Sequence, residues 1–364
     1  MEHSCQLLMS VCQKLQFGGE VVSVFPFGDG HINDTYLVDT VKQGERCSYV
    51  LQRINQNVFK DPLAVMDNIT RVSTYLTQKL SASANPNGFL HFIQSDNGRL
   101  YCELLGDVWR AYQFIPGVKP DPTQYLAGIK GAGEMIGNFH QMLCEFPAND
   151  LQETIPHFHH TQARYAAFSE VVSTNAYNRN TNAAREIEQV LAYANDVCVI
   201  TDLLRDGAIP LRVTHNDTKL DNVLFDAAGK AICLIDFDTI MPGVIGYDFG
   251  DSIRSMATSA AEDEVDLSRV CFSLESFESF TAGYCLAAKS FMTQIEKETL
   301  AFCARLITLE QGIRFLTDYL NGDTYYKVNH LTHNLERARN QLKLVDEMYE
   351  NSGKMEKIVS DHVK

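Results

Sequence analysis

The alternation of apolar and polar residues changes period about a third of the way along the chain. Residues 21–27 are apolar and β-rich, Gly28, Asp29 and Gly30 interrupt them, and 32–38 resume the pattern. A polar turn at 42–45 leads to a strand at 48–54. Residues 61–80 then switch to helical spacing, with Leu63, Met66, Ile69, Val72, Leu76 and Leu80 on one stripe and Pro62 near the start. A hairpin is predicted at 89–94 and 100–104 around Asp96-Asn97-Gly98, and 108–115 is a last strand ending at Pro116-Gly117. Beyond it, apolar stripes predict helices over 121–145, 161–173, 183–205 and 298–320, interrupted by one β island at 211–236. The polar tail after 351 is expected to fray. The change of period predicts an α+β arrangement in two lobes: a small β-rich N-lobe, 1–116, and a larger, mostly helical C-lobe, 117–364, hinged at Pro116-Gly117.

The β island holds the densest polar chemistry. Residues 212–224 read RVTHNDTKLDNVL, which places His215, Asp217 and Asn222 at the spacing H-x-D-x-x-x-x-N, and the apolar run 231–235 ends in Asp236. That is the catalytic-loop spacing of a protein-kinase-like fold, with ATP as co-substrate. Phosphoryl transfer asks for positioning and charge neutralisation more than for covalent help. A carboxylate beside the attacking hydroxyl orients it and accepts its proton, which is the role read for Asp217. An amide oxygen and a second carboxylate hold Mg²⁺ between phosphates, the roles read for Asn222 and Asp236. Lys219 offers a cation to the migrating phosphoryl group, and His215 braces the loop. A plain Asn/Asp turn between strands resembles this segment but does not account for the second strand ending in Ile235-Asp236. The literal Asp-Phe-Gly at 248–250 lies too far from Asn222 to supply the metal carboxylate. It is expected to open a helix over 249–260, with Asp248 as N-cap or as a structural brace to the catalytic loop.

Charge and composition narrow the partners. The 364 residues carry 46 acidic and 31 basic side chains, a net charge of −15. No basic cluster stands out, which argues against nucleic acid or an anionic membrane as the main partner. Ten cysteines lie scattered without a CxxC pair, as expected for reduced thiols in a reducing compartment. There is no basic start followed by a long apolar run and no bilayer-length apolar stretch, so the expected location is cytoplasmic.

THNDTKLDNVLFD, LIDFDTIMPG and YDFGDSIR resemble the aminoglycoside phosphotransferase and choline kinase-like superfamily, and within it the N-acetylhexosamine 1-kinases. PFGDGHINDTYLV, YVLQRIN, WRAYQFI, LRDGAIPLRVTHNDTK, EDEVDLSRV and GIRFLTDYLNGD extend the likeness over nearly the whole chain. The resemblance implies transfer of the ATP γ-phosphate, with Mg²⁺, to the anomeric C1 hydroxyl of N-acetylglucosamine or N-acetylgalactosamine. It implies Asp217 as the catalytic Asp, Asn222 and Asp236 as metal positions, and His31, Arg314 and Tyr325 as residues facing the sugar. There are departures: Asp221 stands where Asn is frequent, and Ser255 where an aromatic beside the sugar is expected. The strand that would carry the V-A-I-K lysine offers Gln52 and Arg53, without an obvious Glu partner in the next helix. The alternative is the same fold acting on choline, homoserine or an aminoglycoside. A choline site wants an aromatic cage, and the single tryptophan, Trp109, lies in the first lobe as core packing.

Other positions are read with both meanings open. Gly28 and Gly30 fit a phosphate-covering turn as well as a simple hairpin turn. Gln113 and Ile115, at the lobe boundary, would offer backbone groups to adenine, and Gln52 would face the nucleotide. The run His157-Phe158-His159-His160 has the composition of a metal cluster but no acidic or Cys partner at useful spacing, so it reads as the start of a helix. Arg254 is expected to pair with Asp251.

Overall fold

In the computed structural model, which describes residues 3–28, 32–80, 88–118 and 126–364, the β-rich part forms one antiparallel sheet. Its strands are β1 (Glu20–Pro26), β2 (Asp34–Lys42), β3 (Glu45–Arg53), β4 (Cys102–Leu104) and β5 (Asp107–Gln113), in the order β1-β2-β3-β5-β4. The pairing of β3 with β5 sets Gln52 opposite Arg110 and Arg53 opposite Trp109. Alternate residues face opposite sides of a sheet. Trp109, Leu51 and Ala111 accordingly pack with Leu8 and Val11 of a short helix, α1 (Cys5–Cys12), on one side. The other side carries Gln52 and Arg110 toward the cleft.

The hairpin expected at 89–94 and 100–104 takes a different form. Its turn closes, with Ser95 N–H donating to Arg99 O at 2.7 Å, but its two arms do not pair as strands. They share one edge of β5. β4 takes the N-terminal half through the Leu105-Gly106 turn, while Ile93 N–H donates to Ala111 O (2.7 Å) and Gln113 N–H to His91 O (3.0 Å) at the other half.

The helical lobe contains α3 (Leu126–Leu143), α4 (Thr161–Thr174), α5 (Ala184–Ala192), α6 (Val199–Arg205), α7 (Ile245–Met256), α8 (Leu274–Ala288), α9 (Gln294–Leu320), α10 (His333–Glu350) and α11 (Ser352–His362). The single helix expected over 183–205 is two, because the chain leaves helical geometry at Tyr193, whose hydroxyl donates to Asp346 Oδ1 at 2.5 Å. The tail expected to fray is α11, anchored by Met355 and Val359 in the main core. α9 starts at a reciprocal cap: Thr293 Oγ1 accepts from Glu296 N–H, and Glu296 Oε2 accepts from Thr293 N–H.

The β island resolves into two small antiparallel pairs, β6 (Arg212–Thr214) with β9 (Met241–Gly243) and β7 (Val223–Phe225) with β8 (Ala231–Leu234). Beneath it α3 crosses α8 at very close range. Gly133, Gly137 and Gly283 line that crossing, and a Cβ on Gly283 would fall on the Lys130 carbonyl. The same core reaches α2 (Pro62–Leu80). Val65, Met66, Ile69 and Val72 pack among helical-lobe residues including Phe139 and Phe237.

Candidate active site

The site grows from the loop between β6 and β7. Asn216 takes a positive φ of 64°, a conformation that Asn tolerates better than most residues. Asp248, in the first turn of α7, fixes the loop from below. Its Oδ2 accepts from His215 N–H (2.7 Å) and its Oδ1 from Asn216 N–H (2.6 Å). His140 Nε2 lies 2.7 Å from Asp248 Oδ2, and His140 Nδ1 lies 2.9 Å from the Tyr284 hydroxyl. Thr218 Oγ1 donates to Asp248 O at 2.6 Å. Burial alone would raise the Asp248 pKa, but His140 and the amide bond from His215 hold it below the usual range. Asp248 is therefore a brace; α7 begins earlier than expected, with Val244 as N-cap, and ends at Met256.

His215 also braces. Its Nε2 donates to Ile235 O (2.9 Å) and its Nδ1 accepts from Asp217 N–H (3.3 Å), so the ring is neutral, and burial lowers its pKa accordingly. This pair of bonds ties the loop to the end of β8, next to Asp236.

Asp217 is partly open, with 24 % of its side chain exposed. Its Oδ2 accepts from Lys219 Nζ and from Asn222 Nδ2, both at 2.9 Å. Asn222 Nδ2 also donates to Asp217 O at 2.7 Å. Burial opposes ionisation of Asp217, but Lys219, His215 and Asn222 together hold its pKa below the ordinary value. Lys219 is raised in turn: burial works against its charge, and Asp217 outweighs burial.

Asp236 follows β8 with φ 65° and ψ 72°, a strained conformation for a residue with a Cβ. Burial, together with Asp238 and Asp217, pushes its carboxyl up to about 7. A divalent cation would relieve that concentration of negative charge, and Asn222 Oδ1 and the Asp236 carboxylate are the hard oxygen donors that Mg²⁺ prefers. Among the described residues no three His, Cys, Asp or Glu side chains form a cage of their own.

Several other predicted residues are engaged inside the protein. Gln52 Oε1 accepts from Arg110 Nε (3.1 Å) and Nη2 (2.8 Å), and its Nε2 donates to Thr35 Oγ1 (3.3 Å). Arg53 pairs with Asp34 (2.6 Å) and Asp107 (3.0 Å). Gln113 has its amide on His91, whereas Ile115 makes no backbone hydrogen bond among the described residues. Gly28 has a positive φ of 77° in the exposed turn after β1. Gly30 and His31 lie outside the described residues. Ser255 accepts from Leu220 N–H (3.1 Å), so it caps the short 3-10 turn Leu220–Asn222 that delivers Asn222. Asp221 is on the exposed side of that turn. Arg254 bonds Asp251 at 2.8 Å, as expected, and also Glu262 at 2.5 Å.

Arg314 and Tyr325 meet at one pocket of about 260 Å³, whose lining also includes Arg164, Asp318 and Tyr326. Asp318 shapes its rim by accepting the amides of Thr324, Tyr325 and Tyr326 at 2.8–2.9 Å. The Arg314 guanidinium lies over the Phe158 ring at 5.2 Å. Burial and the nearby Arg314 lower the Arg164 pKa, the mark of two cations held close together. The His run sits between this pocket and the catalytic loop. His160 Nδ1 caps α4 by accepting from Ala163 N–H (3.2 Å), while His159 links Glu310 Oε1 (2.8 Å) to Asn216 O (3.0 Å). Sequence reasoning does not single out Arg110, Asp238 or Glu310, and it reads His159 only as part of a helix start, because each acts through partners distant along the chain.

A sheet lobe over a helical lobe, with the H-x-D loop between them, is the architecture of the kinase-like phosphotransferases. The profile of the phosphotransferase enzyme family matches residues 23–275, and the chain belongs to that family. Homoserine kinase of Caulobacter vibrioides is 24% identical over 297 residues, covering 80% of each chain. Two solved structures share the fold. Spectinomycin phosphotransferase in complex with ADP and spectinomycin has a TM-score of 0.58 at 14% identity, over 97% of this chain and 100% of that one. Choline kinase from Cryptosporidium parvum Iowa II has a TM-score of 0.60 at 14% identity, over 99% of both.

Proposed function

We propose that this chain transfers the γ-phosphoryl group of ATP to the C1 hydroxyl of an N-acetylhexosamine. The observation that carries the phosphotransfer is the convergence of Lys219 and Asn222 on Asp217 Oδ2, which leaves Oδ1 without a hydrogen bond from any described residue. Oδ1 is the atom offered to the acceptor hydroxyl. Because Asp217 stays ionised, it is a weak base, and the anomeric hydroxyl is acidic enough to need no stronger one. Asn222 and Asp236 would hold Mg²⁺, which when bound draws charge from the phosphate oxygens. Lys219 steadies the transferring group and keeps Asp217 anionic. Gly28 and Ile115 remain the nucleotide contacts among the described residues, the latter through its backbone.

The sugar assignment rests on the motif resemblance and is supported by the pocket. Two guanidiniums and two tyrosines suit a neutral, hydroxyl-rich acceptor and repel cationic ones such as choline or an aminoglycoside. The same arginines would also suit the carboxylate of homoserine, the substrate named for the 24% identical relative, so homoserine is the second reading.

The test is turnover with ATP and Mg²⁺ on N-acetylglucosamine, N-acetylgalactosamine, glucose, galactose, choline and homoserine. An acid-labile, alkali-stable sugar phosphate is the expected product; product from homoserine alone would overturn the sugar assignment. Asp217→Asn should lower turnover on the order of a thousandfold while leaving the thermal midpoint nearly unchanged. Wild-type turnover by that variant would remove Asp217 from the mechanism.

A further inference from the structure

The sheet lobe has no lysine where kinases place one on the third strand, yet a buried cation stands beside that position. Arg110 on β5 is directly opposite Gln52 on β3, and Gln52 Oε1 receives two of its N–H groups. The guanidinium then crosses the cleft. Arg110 Nη1 pairs with Asp238 Oδ1 on the helical lobe, and both side chains are almost fully buried, 1 % and 6 % exposed. The other oxygen, Asp238 Oδ2, accepts from Asn33 Nδ2 at 2.6 Å. Asn33 follows the glycine-containing turn after β1, and its own Oδ1 accepts from Asn55 N–H at 3.0 Å. Both oxygens of Asp238 are thus held by the sheet lobe.

Asp238 stands two residues after Asp236, inside the 3-10 turn Phe237–Thr239. The strained backbone of Asp236 persists only if the residues around it are fixed. Phe237 is locked among Phe92, Phe139 and the His215 ring, and Thr239 Oγ1 donates to His215 O at 2.7 Å. Asp238 is the remaining anchor, and its partners Arg110 and Asn33 both belong to the sheet lobe.

We infer that Arg110 is a positioning residue that acts through Asp238 to aim the Asp236 carboxylate at the nucleotide-bound metal. Arg110 and Gln52 stand beside the position of the missing lysine without taking over its contact with the phosphates. The inference rests on the phosphotransferase reading of this site and is independent of which acceptor is used. Arg110 does not itself meet the phosphates, because its nitrogens are engaged by Gln52 and Asp238 and its side chain is closed to solvent. Asp238 is likewise not offered as a metal ligand, since both its oxygens already have partners.

The experiment is calorimetric titration of ADP into the purified full chain, in EDTA and in Mg²⁺. Three proteins are compared: wild type, Arg110→Lys, and the double variant Arg110→Met with Asp238→Leu. Removing one member of a buried pair strands the other charge, whereas replacing both with apolar residues of similar size preserves stability. The double variant should therefore keep a thermal midpoint near that of wild type and bind ADP in EDTA with unchanged affinity. It should lose about tenfold or more of the Mg²⁺-dependent gain in affinity. Arg110→Lys, which keeps the charge but not the two bonds to Gln52, should fall between. If the double variant retains the full Mg²⁺-dependent gain, the pair is only structural and the inference fails. If it loses ADP affinity equally with and without Mg²⁺, Arg110 does not act through Asp236 and the inference also fails. If wild type itself shows ADP binding that Mg²⁺ does not alter, the reading of Asn222 and Asp236 as metal ligands falls, and the inference with it. A wild type that shows the Mg²⁺-dependent gain but no turnover on any N-acetylhexosamine would instead count against the acceptor assignment alone.

Discussion

His159 shows how much a single proton holds in place. Both of its ring nitrogens face acceptors, Glu310 Oε1 and Asn216 O, so both must carry hydrogen. Burial works against that charge, but Glu310 outweighs it and raises the His159 pKa. Burial would likewise raise Glu310, yet His159, Thr161 and Arg314 hold it below the usual carboxylate value. The two shifts set a stability window. The His159 contribution is complete below its ordinary pKa of about 6.5 and is lost as pH rises through its higher folded value. The Glu310 contribution is complete above its ordinary pKa of about 4.3 and is lost as pH falls through its lower folded value. Thermal midpoints measured from pH 5 to 9 should decline on the alkaline side of the histidine range. His159→Gln should flatten that alkaline decline and cost about 3 kcal/mol at pH 6, because it strands a buried carboxylate. An unchanged alkaline slope in that variant would assign the pH dependence elsewhere.

The α3–α8 crossing makes the sharpest forecast for an element. At Gly283 the obstruction to a side chain is the Lys130 backbone, and at Gly133 it is the Phe280 carbonyl, so no rotamer change can make room. Gly283→Ala should push the helices apart and destabilise the protein by about 3 kcal/mol or more, read from chemical denaturation. The displacement would also reach the catalytic loop, because His140 on α3 and Tyr284 on α8 stand in line behind Asp248. None of this was legible in the sequence. α8 is buried on most sides, with Phe277, Phe280, Tyr284 and Cys285 all enclosed, so it shows no amphipathic stripe. α1 has only eight residues, and α11 anchors through two buried apolar residues, too few to give a periodic signal. The elements that were legible are those with long regular spacing, such as α2 and α9. The catalytic loop was legible because its chemistry is local in sequence: His215, Asp217, Lys219 and Asn222 lie within eight residues. Arg110 and Asp238 were not, since only the fold brings β5 to the turn after β8. The pairing of the two predicted hairpin arms with each other differs in the structure because both segments compete for one edge of β5, which spacing does not reveal.

Across the whole molecule, one continuous apolar core joins α2, the β island, α3, α7, α8 and the start of α9, and it closes with Met355 and Val359 of α11. No helix among the described residues is long and apolar enough to cross a membrane. Deleting residues 352–364 would expose the surfaces those two side chains cover and should cost about 4 kcal/mol, seen as a lower denaturation midpoint. An unchanged midpoint would show that α11 is an appendage. The position of α2 has a consequence for how the cleft can open. Asn68 on that helix donates to Ile240 O at 2.9 Å and to Gln152 O at 2.8 Å, so α2 is fastened to the lower body although it lies between two strands in sequence. Any opening of the cleft would then be a tilt of the five strands over a stationary helix, against the contacts of Arg110 and Asn33 with Asp238. Because α2 lies between β3 and β4, such a tilt would bend the chain on either side of that helix as well as after β5, three crossings where a simple division into halves would have one.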